Sequence, residues 1–429
     1  MSRLLEPAVL RFLADPRARA DPYPVFARIR EADPVHHTVL GATLVTRYDD
    51  VLSVLRHPAM SSRDTNADIS YGAGRHGRGR VLEFPGRALF HLERRRFRRT
   101  DSGVLPTMID RFLIFLDPPD HTRMRGLASR AFTPRVAEAA RPMIETVARD
   151  LLDELEPRGQ SDLLADYFYR LPTRVICELL GVPPDDVGPF HAWIQEIVKL
   201  LDVVERGGSH LPEADRAAVE LDRYFRSLIA RRRAEPADDL LSALVAARDD
   251  GDRLSEEELV SFAVLLFAAG HETTSNLMGN GLFHLFEHPD QLRLFRDDAD
   301  GRLNGVDELL RFDSTIQLNQ RIPMEDVEIG GTRIAAGRPL ISLLGAANRD
   351  PDRFEDPDQL DVKRPDCQPM SFGFGLHHCL GAALARVEAE IGLGALLDRF
   401  PDLRLTEDEP TWRKTAVFRG LTELPARWN

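Results

Sequence analysis

The chain has 429 residues, 43% hydrophobic and 29% charged, enough for two or three domains by length, yet no Pro-, Gly- or Ser-rich linker divides it. A formal net charge of −13 disfavours nonspecific nucleic-acid binding. Only Cys177, Cys367 and Cys379 are present, an odd and sparse set that argues against a disulfide framework and predicts a reducing, cytoplasmic setting.

In chain order, residues 1–16 carry apolar groups at Leu4, Leu5 and Ala8 to Leu13, interrupted by Glu6 and Arg11, too short and too charged for a membrane anchor or secretion signal. The β-rich runs Val35 to Val39 and Thr43 to Thr46 read as a hairpin, and Asp49 or Asp50 caps a short helix over Val51 to Arg56. Residues 61–116 lack a clear period and read as a long, partly ordered loop with glycines at 72, 74, 77, 79 and 86. Ten arginines fall between Arg63 and Arg99 against four carboxylates, so this basic segment either faces something anionic or is a solvated loop. From Pro134 the pattern is helical, broken at Gly181 to Pro184 and Gly207 to Pro212.

Ser255 and Glu258 form a capping box that opens a helix predicted to run to His288, just before Pro289. At about 33 residues it would span ~50 Å. Leu259 to Ala269 is apolar on nearly every side, the pattern of a helix buried all round, and too short for the ~20 residues of a membrane span. Then come Gly270, His271, Glu272, Thr273, Thr274, Ser275 and Asn276. Burying such groups unpaired costs on the order of 1 to 3 kcal/mol each. Either a function rewards them, or Thr273 and Thr274 bond back to preceding carbonyls and bend the helix.

Further on, Glu308 and Arg311 stand three apart on a predicted helix from Gly305 to Phe312, where they can pair. The strands Val327 to Ile329 and Thr332 to Ile334 meet at the turn of Gly330 and Gly331. Cys379 lies in a glycine-flanked loop just before a helix. Glycines let the backbone approach something flat, and the helix start favours a thiolate, an arrangement suited to haem iron; the alternative is an ordinary buried thiol.

Phe372, Gly375, His377, Cys379 and Gly381 meet all five fixed points of the cytochrome P-450 cysteine signature, and the chain resembles that family from about Asp21 to its C-terminus. The resemblance implies one domain over residues 1–429, mainly α with small β-sheets, with the long central helix lying over haem b and Cys379 as the axial ligand of its iron. Ala269 to Thr273 align with the family's oxygen-activation motif. That implies a groove at Gly270, a Thr273 hydroxyl directed at oxygen and a Glu272 proton relay. His121 and Arg125, in the run Asp117 to Arg125, together with Arg321 and His377, match propionate-binding positions. Glu308 and Arg311 match a buried ion pair, with Arg364 as its third member.

The function so implied is a soluble haem-thiolate monooxygenase acting on a small organic substrate, in secondary metabolism or catabolism. Electrons would come from NAD(P)H through a separate ferredoxin or flavodoxin, since no dinucleotide fingerprint is present. Membrane and nucleic acid are not expected partners. In the family the segment 61–116 and the region around Gly207 and Gly208 line the substrate entrance, which points the arginines at an acidic or carrier-protein-bound substrate. A peroxygenase, or a noncatalytic haem-binding or carrier-docking protein, stands as the alternative; retention of Glu272 and Thr273 counts against the peroxygenase.

Overall fold

The computed structural model describes residues 5–63, 66, 100–183, 186–188, 190–202, 210–247, 252–407 and 409–429. The fold is mainly helical and is organised around the helix Glu256–Glu287. Its capping box forms: the Glu258 N–H donates to Ser255 Oγ at 3.2 Å, and the Ser255 N–H to Glu258 Oε2 at 2.8 Å. Pro289 opens the next helix, Pro289–Asp297.

This central helix belongs to two apolar cores. Its first half, including Phe262 and Phe267, packs with Phe190, Leu221 and Phe225 of the helices Phe190–Lys199 and Leu211–Ala234. Its last turns, including Leu277, Met278 and Leu282, pack with Tyr167, Leu309 and Leu396. Between the two apolar runs lies the polar stretch from His271 to Asn276, so the notch falls where neither core claims the helix. Close crossing against the helix Ala382–Arg399 depends on Gly392, where an added Cβ would sit 2.6 Å from Met278 Sδ.

The strands are short. β1 (Val35–His37) and β2 (Thr43–Val45) form the expected hairpin. They join β3 (Met60–Ser61), β5 (Leu318–Pro323) and β8 (Leu340–Leu343) in a sheet of order β1-β2-β8-β5-β3, in which only β2 and β8 are parallel. β6 (Val327–Ile329) and β7 (Thr332–Ile334) meet at Gly330 and Gly331, both at positive φ. β4 (Gln160–Asp162) pairs with β10 (Pro425–Arg427), which pairs with β9 (Arg404–Leu405).

Three expectations are corrected. The early helix is Tyr48–Arg56, with Asp49 and Asp50 in its first turn rather than capping it. A distant carboxylate does the work instead: the Tyr48 N–H donates to Asp350 Oδ2 at 2.7 Å. Within 61–116, helix Val104–Ile109 and the 3₁₀ turn Leu113–Phe115 replace loop, while 64–65 and 67–99, with nine of the ten arginines, lie outside the described residues. The helical run after Pro134 is also broken by β4 and the π-turn Leu164–Phe168, because β4 finds its partner strand about 260 residues later, beyond any local signal. Among the described residues no helix is long and apolar enough to cross a membrane.

Candidate active site

The cysteine loop is shaped by its glycines. Gly373 and Gly375 hold φ of 64° and 69°, and a Cβ on Gly375 would lie 2.4 Å from the Leu55 carbonyl oxygen, so only glycine fits there. The loop closes when the Cys379 N–H donates to the Phe372 carbonyl at 2.9 Å, and the next helix starts three residues on. At Gly381 an added Cβ meets nothing within 4 Å. The Cys379 side chain is exposed. Burial raises its thiol above the ordinary value, against the pull of the Gly381 N–H, Arg125 and Arg386.

Behind the loop stands a buried charge hub. Glu308 and Arg311 are fully buried and bonded twice, at 2.6 and 2.8 Å, and Arg364 Nε donates to Glu308 Oε2 at 3.1 Å. Arg311 also donates to the carbonyls of Asn348, Pro357 and Gln359. Asn348 Oδ1 in turn accepts from the Met370 N–H at 2.6 Å, which ties the hub to the start of the cysteine loop.

Four sequence-selected groups converge beside the loop. Pairing of β3 with β5 sets Ser61 opposite Ile322, next to Arg321, and Ser62 Oγ lies 3.0 Å from His377 Nε2. The rings of His377 and His121 are 4.1 Å apart. Arg125 Nη2 donates to the His378 carbonyl at 2.6 Å and acts on Cys379 electrostatically. Burial, with Arg125 next, pulls His121 down to about 4; burial, Arg321, His121 and Arg125 pull His377 down to about 2. Burial lowers Arg321 to about 10, opposed by Asp117, whose own oxygens accept from Ser61 and Ser62. Both ring nitrogens of fully buried His121 lack a partner among the described residues.

On the central helix Leu266, Ala269, Gly270 and Thr273 are the open positions amid buried neighbours, and their spacing puts them on one stripe. A Cβ on Gly270 would meet nothing within 4 Å. Thr273 Oγ1 donates to the Ala269 carbonyl at 2.7 Å, the back-bond weighed as the alternative, and this leaves its lone pairs as acceptors. Glu272 is fully buried and clamped: Gln195 Nε2 donates to Oε2 at 2.6 Å, and Arg413 pairs with Oε1 while also bonding the Tyr169 hydroxyl. Sequence reasoning missed Arg413, Gln195 and Tyr169, which lie 141, 77 and, from Arg413, 244 residues away and carry no local signal.

The cytochrome P450 family model matches residues 87–301 and 303–421. The chain belongs to the cytochrome P450 family. It is 42% identical to cytochrome P450 107B1 of Saccharopolyspora erythraea over 94% of each chain, and 39% identical to the vitamin D(3) 25-hydroxylase of Pseudonocardia autotrophica over 94% of this chain and 93% of that one. It superposes on P450BioI, solved in complex with an acyl carrier protein ligated to hexadec-9Z-enoic acid, with TM-score 0.85, 32% identity, and 97% and 100% coverage.

As a P450 it holds haem b and is a monooxygenase that inserts one oxygen atom of O2 into an organic substrate. The residues present fit that cofactor. An iron-ligating sulfur type stands beside two guanidiniums and two imidazoles, one of them fully buried with both nitrogens orphaned, and a dianionic group is what such a half-buried cationic cluster calls for.

Glu388, on the helix after the cysteine, is 4% exposed, and its Oε2 lacks a partner among the described residues. Burial raises its carboxyl well above the ordinary value. The folded state thus holds this proton more tightly than the unfolded chain, so its stability contribution is fully present below the ordinary glutamate value and lost as pH rises through the raised folded value. Glu388→Gln is expected to flatten the decline of Tm toward alkaline pH; a decline parallel to the parent protein's sinks the assignment.

Proposed function

We propose that Cys379 is the axial ligand, that His121, Arg125, Arg321 and His377 hold the haem propionates, and that Gly270, Glu272 and Thr273 organise oxygen binding and proton delivery. The reading rests on the cluster of buried His121 with half-buried Arg125, Arg321 and His377, joined to the cysteine through Arg125. The whole chain is read as one domain, with the central helix shared by both large cores. Glu308, Arg311 and Arg364, with Phe372, Gly375 and Gly381, shape the loop rather than touch substrate.

Bound haem supplies the iron at which dioxygen is activated. Thr273 Oγ1, its proton committed to the Ala269 carbonyl, is left as an acceptor on the open stripe, where it would orient a hydrogen-bond donor beside the cofactor. Glu272 is the group that relays protons toward it, once released from Gln195 or Arg413. Thr273→Ala is expected to leave haem content and ligand affinity intact while sending most reducing equivalents to hydrogen peroxide. Product and peroxide formed per NADH, for a ligand chosen by its haem spectral shift, measure this; full coupling removes the proton role.

Electrons are proposed to arrive from NAD(P)H through a ferredoxin or flavodoxin docking on the cysteine side. The substrate is proposed to be a small organic molecule of secondary metabolism, acidic or delivered on a carrier protein, recognised by the arginines between Arg63 and Arg99. Support comes from their charge and from likeness to a P450 solved with an acyl carrier protein. Replacing Arg94, Arg95 and Arg96 with Gln is expected to raise Kd several-fold for an acidic ligand and leave a neutral one unchanged. Equal effects on both dismiss the idea.

A further inference from the structure

Two histidines apart from the haem-facing groups meet where two helices cross. His191 stands near the start of the helix Phe190–Lys199 and His271 in the polar stretch of the central helix, with His191 Nδ1 3.3 Å from His271 Nε2. Fixed contacts hold both flanks of the pair. Phe190 stacks on Phe267, one turn before His271, with ring centroids 5.1 Å apart, and Gln195, one turn after His191, donates to Glu272 Oε2 at 2.6 Å. The Tyr169 ring backs both imidazoles, its centroid 5.5 Å from that of His271 and 5.7 Å from that of His191.

The spacing is that of two ligands sharing one ion. Two Zn–N bonds of about 2.0 to 2.1 Å at the tetrahedral angle place their nitrogens about 3.3 to 3.4 Å apart. The histidine centroids are 5.1 Å apart with ring planes at 74°. A straight N–H···N bond of the observed length would set them ~5.6 Å apart, whereas two imidazoles converging on zinc set them ~5.2 Å apart.

Both rings have lone pairs to offer. Burial, with His191 and Arg413 after it, pulls His271 down to about 3, and burial lowers His191 against the pull of Glu272, so at neutral pH neither ring carries the second proton that would exclude a metal. His271 is fully buried, and its Nδ1 lacks a partner among the described residues, so its Nε2 has only the facing imidazole to engage. His191 is exposed, which gives an ion its route from solvent. Among the described residues no group of three or more His, Cys, Asp or Glu is placed to hold a metal, and both Glu272 oxygens are already engaged. The protein thus supplies two nitrogens and water fills the remaining positions. Imidazole donors of this kind suit zinc, copper(II) or nickel(II) and not the oxygen-seeking magnesium or calcium.

We propose that His191 and His271 bind one divalent transition metal ion of the zinc class, which staples the helix Phe190–Lys199 to the central helix. The site is independent of the haem and of the roles proposed for Glu272 and Thr273.

Calorimetric titration of the haem-loaded enzyme with ZnCl2 should show one ion per chain bound more tightly than any other. Zinc at 100 times its Kd should raise Tm by ~3 °C, and magnesium at the same concentration should not. His191→Ala, at an exposed position, should weaken this binding at least ~10-fold by removing one of two ligands and should abolish the rise in Tm; His271→Asn should do the same. His210→Ala, before the helix Leu211–Ala234, should leave both intact. Unchanged zinc binding in His191→Ala, an equal loss in His210→Ala or an equal rise with magnesium overturns the site, and the His191 variant decides should His271→Asn fold poorly. Anomalous scattering from a zinc-soaked crystal should place the ion about 2.0 to 2.1 Å from His191 Nδ1 and His271 Nε2. Zinc found only at other positions also overturns it.

Discussion

Cys379→Ser is expected to abolish the ferrous carbon monoxide absorption at the family's namesake wavelength and, with it, monooxygenation. Serine keeps the loop: the backbone bond from residue 379 to the Phe372 carbonyl and the left-handed glycines at 373 and 375 do not involve the sulfur. Only the donor atom changes. Burial already raises the proton affinity of the thiol, and an alcohol in the same enclosure is far harder to ionise, so no anionic ligand remains to donate electron density. The expected holoprotein retains some haem through His121, Arg125, Arg321 and His377 but shows an absorption shifted to shorter wavelength. A variant with the unshifted band removes Cys379 from the iron.

Glu308→Ala is expected to yield little folded holoprotein. Arg311 is completely buried, and Arg364 is 8% exposed. Both guanidiniums depend on Glu308, which also accepts the Asp361 N–H at 2.9 Å. Removing one partner of a buried pair costs roughly 3 to 5 kcal/mol. Against a total stability of about 5 to 15 kcal/mol that is a large fraction. The damage propagates to the haem pocket because Arg311 holds the Asn348 carbonyl and Asn348 holds the Met370 N–H at the mouth of the cysteine loop. Thermal denaturation together with haem content per chain measures the effect. Parent-like Tm and haem loading in Glu308→Ala would show that the hub is dispensable.

The parts of the site that could be read in advance are those written in short spacing. The capping box at Ser255 and Glu258 and the three-residue interval of Glu308 and Arg311 all appear in the structure as expected. Arg364 joins the hub as expected too, though it lies 56 residues from Glu308. The Thr273 hydroxyl shows why two readings stood side by side. Its back-bond to Ala269 is a local property of any threonine in a helix, and it coexists with an open stripe that only neighbouring elements can create.

By itself the sequence determined the family, the long helix with its polar notch, the thiol in its glycine loop and the paired charges, because each depends on side chains a few residues apart on one backbone. Tertiary structure alone decided that Asp350 caps the helix at Tyr48, that Gln195 and Arg413 clamp Glu272, and that burial raises rather than lowers the Cys379 thiol. Those outcomes depend on which distant groups packing brings together and how much solvent it removes. Neither quantity has a period along the chain.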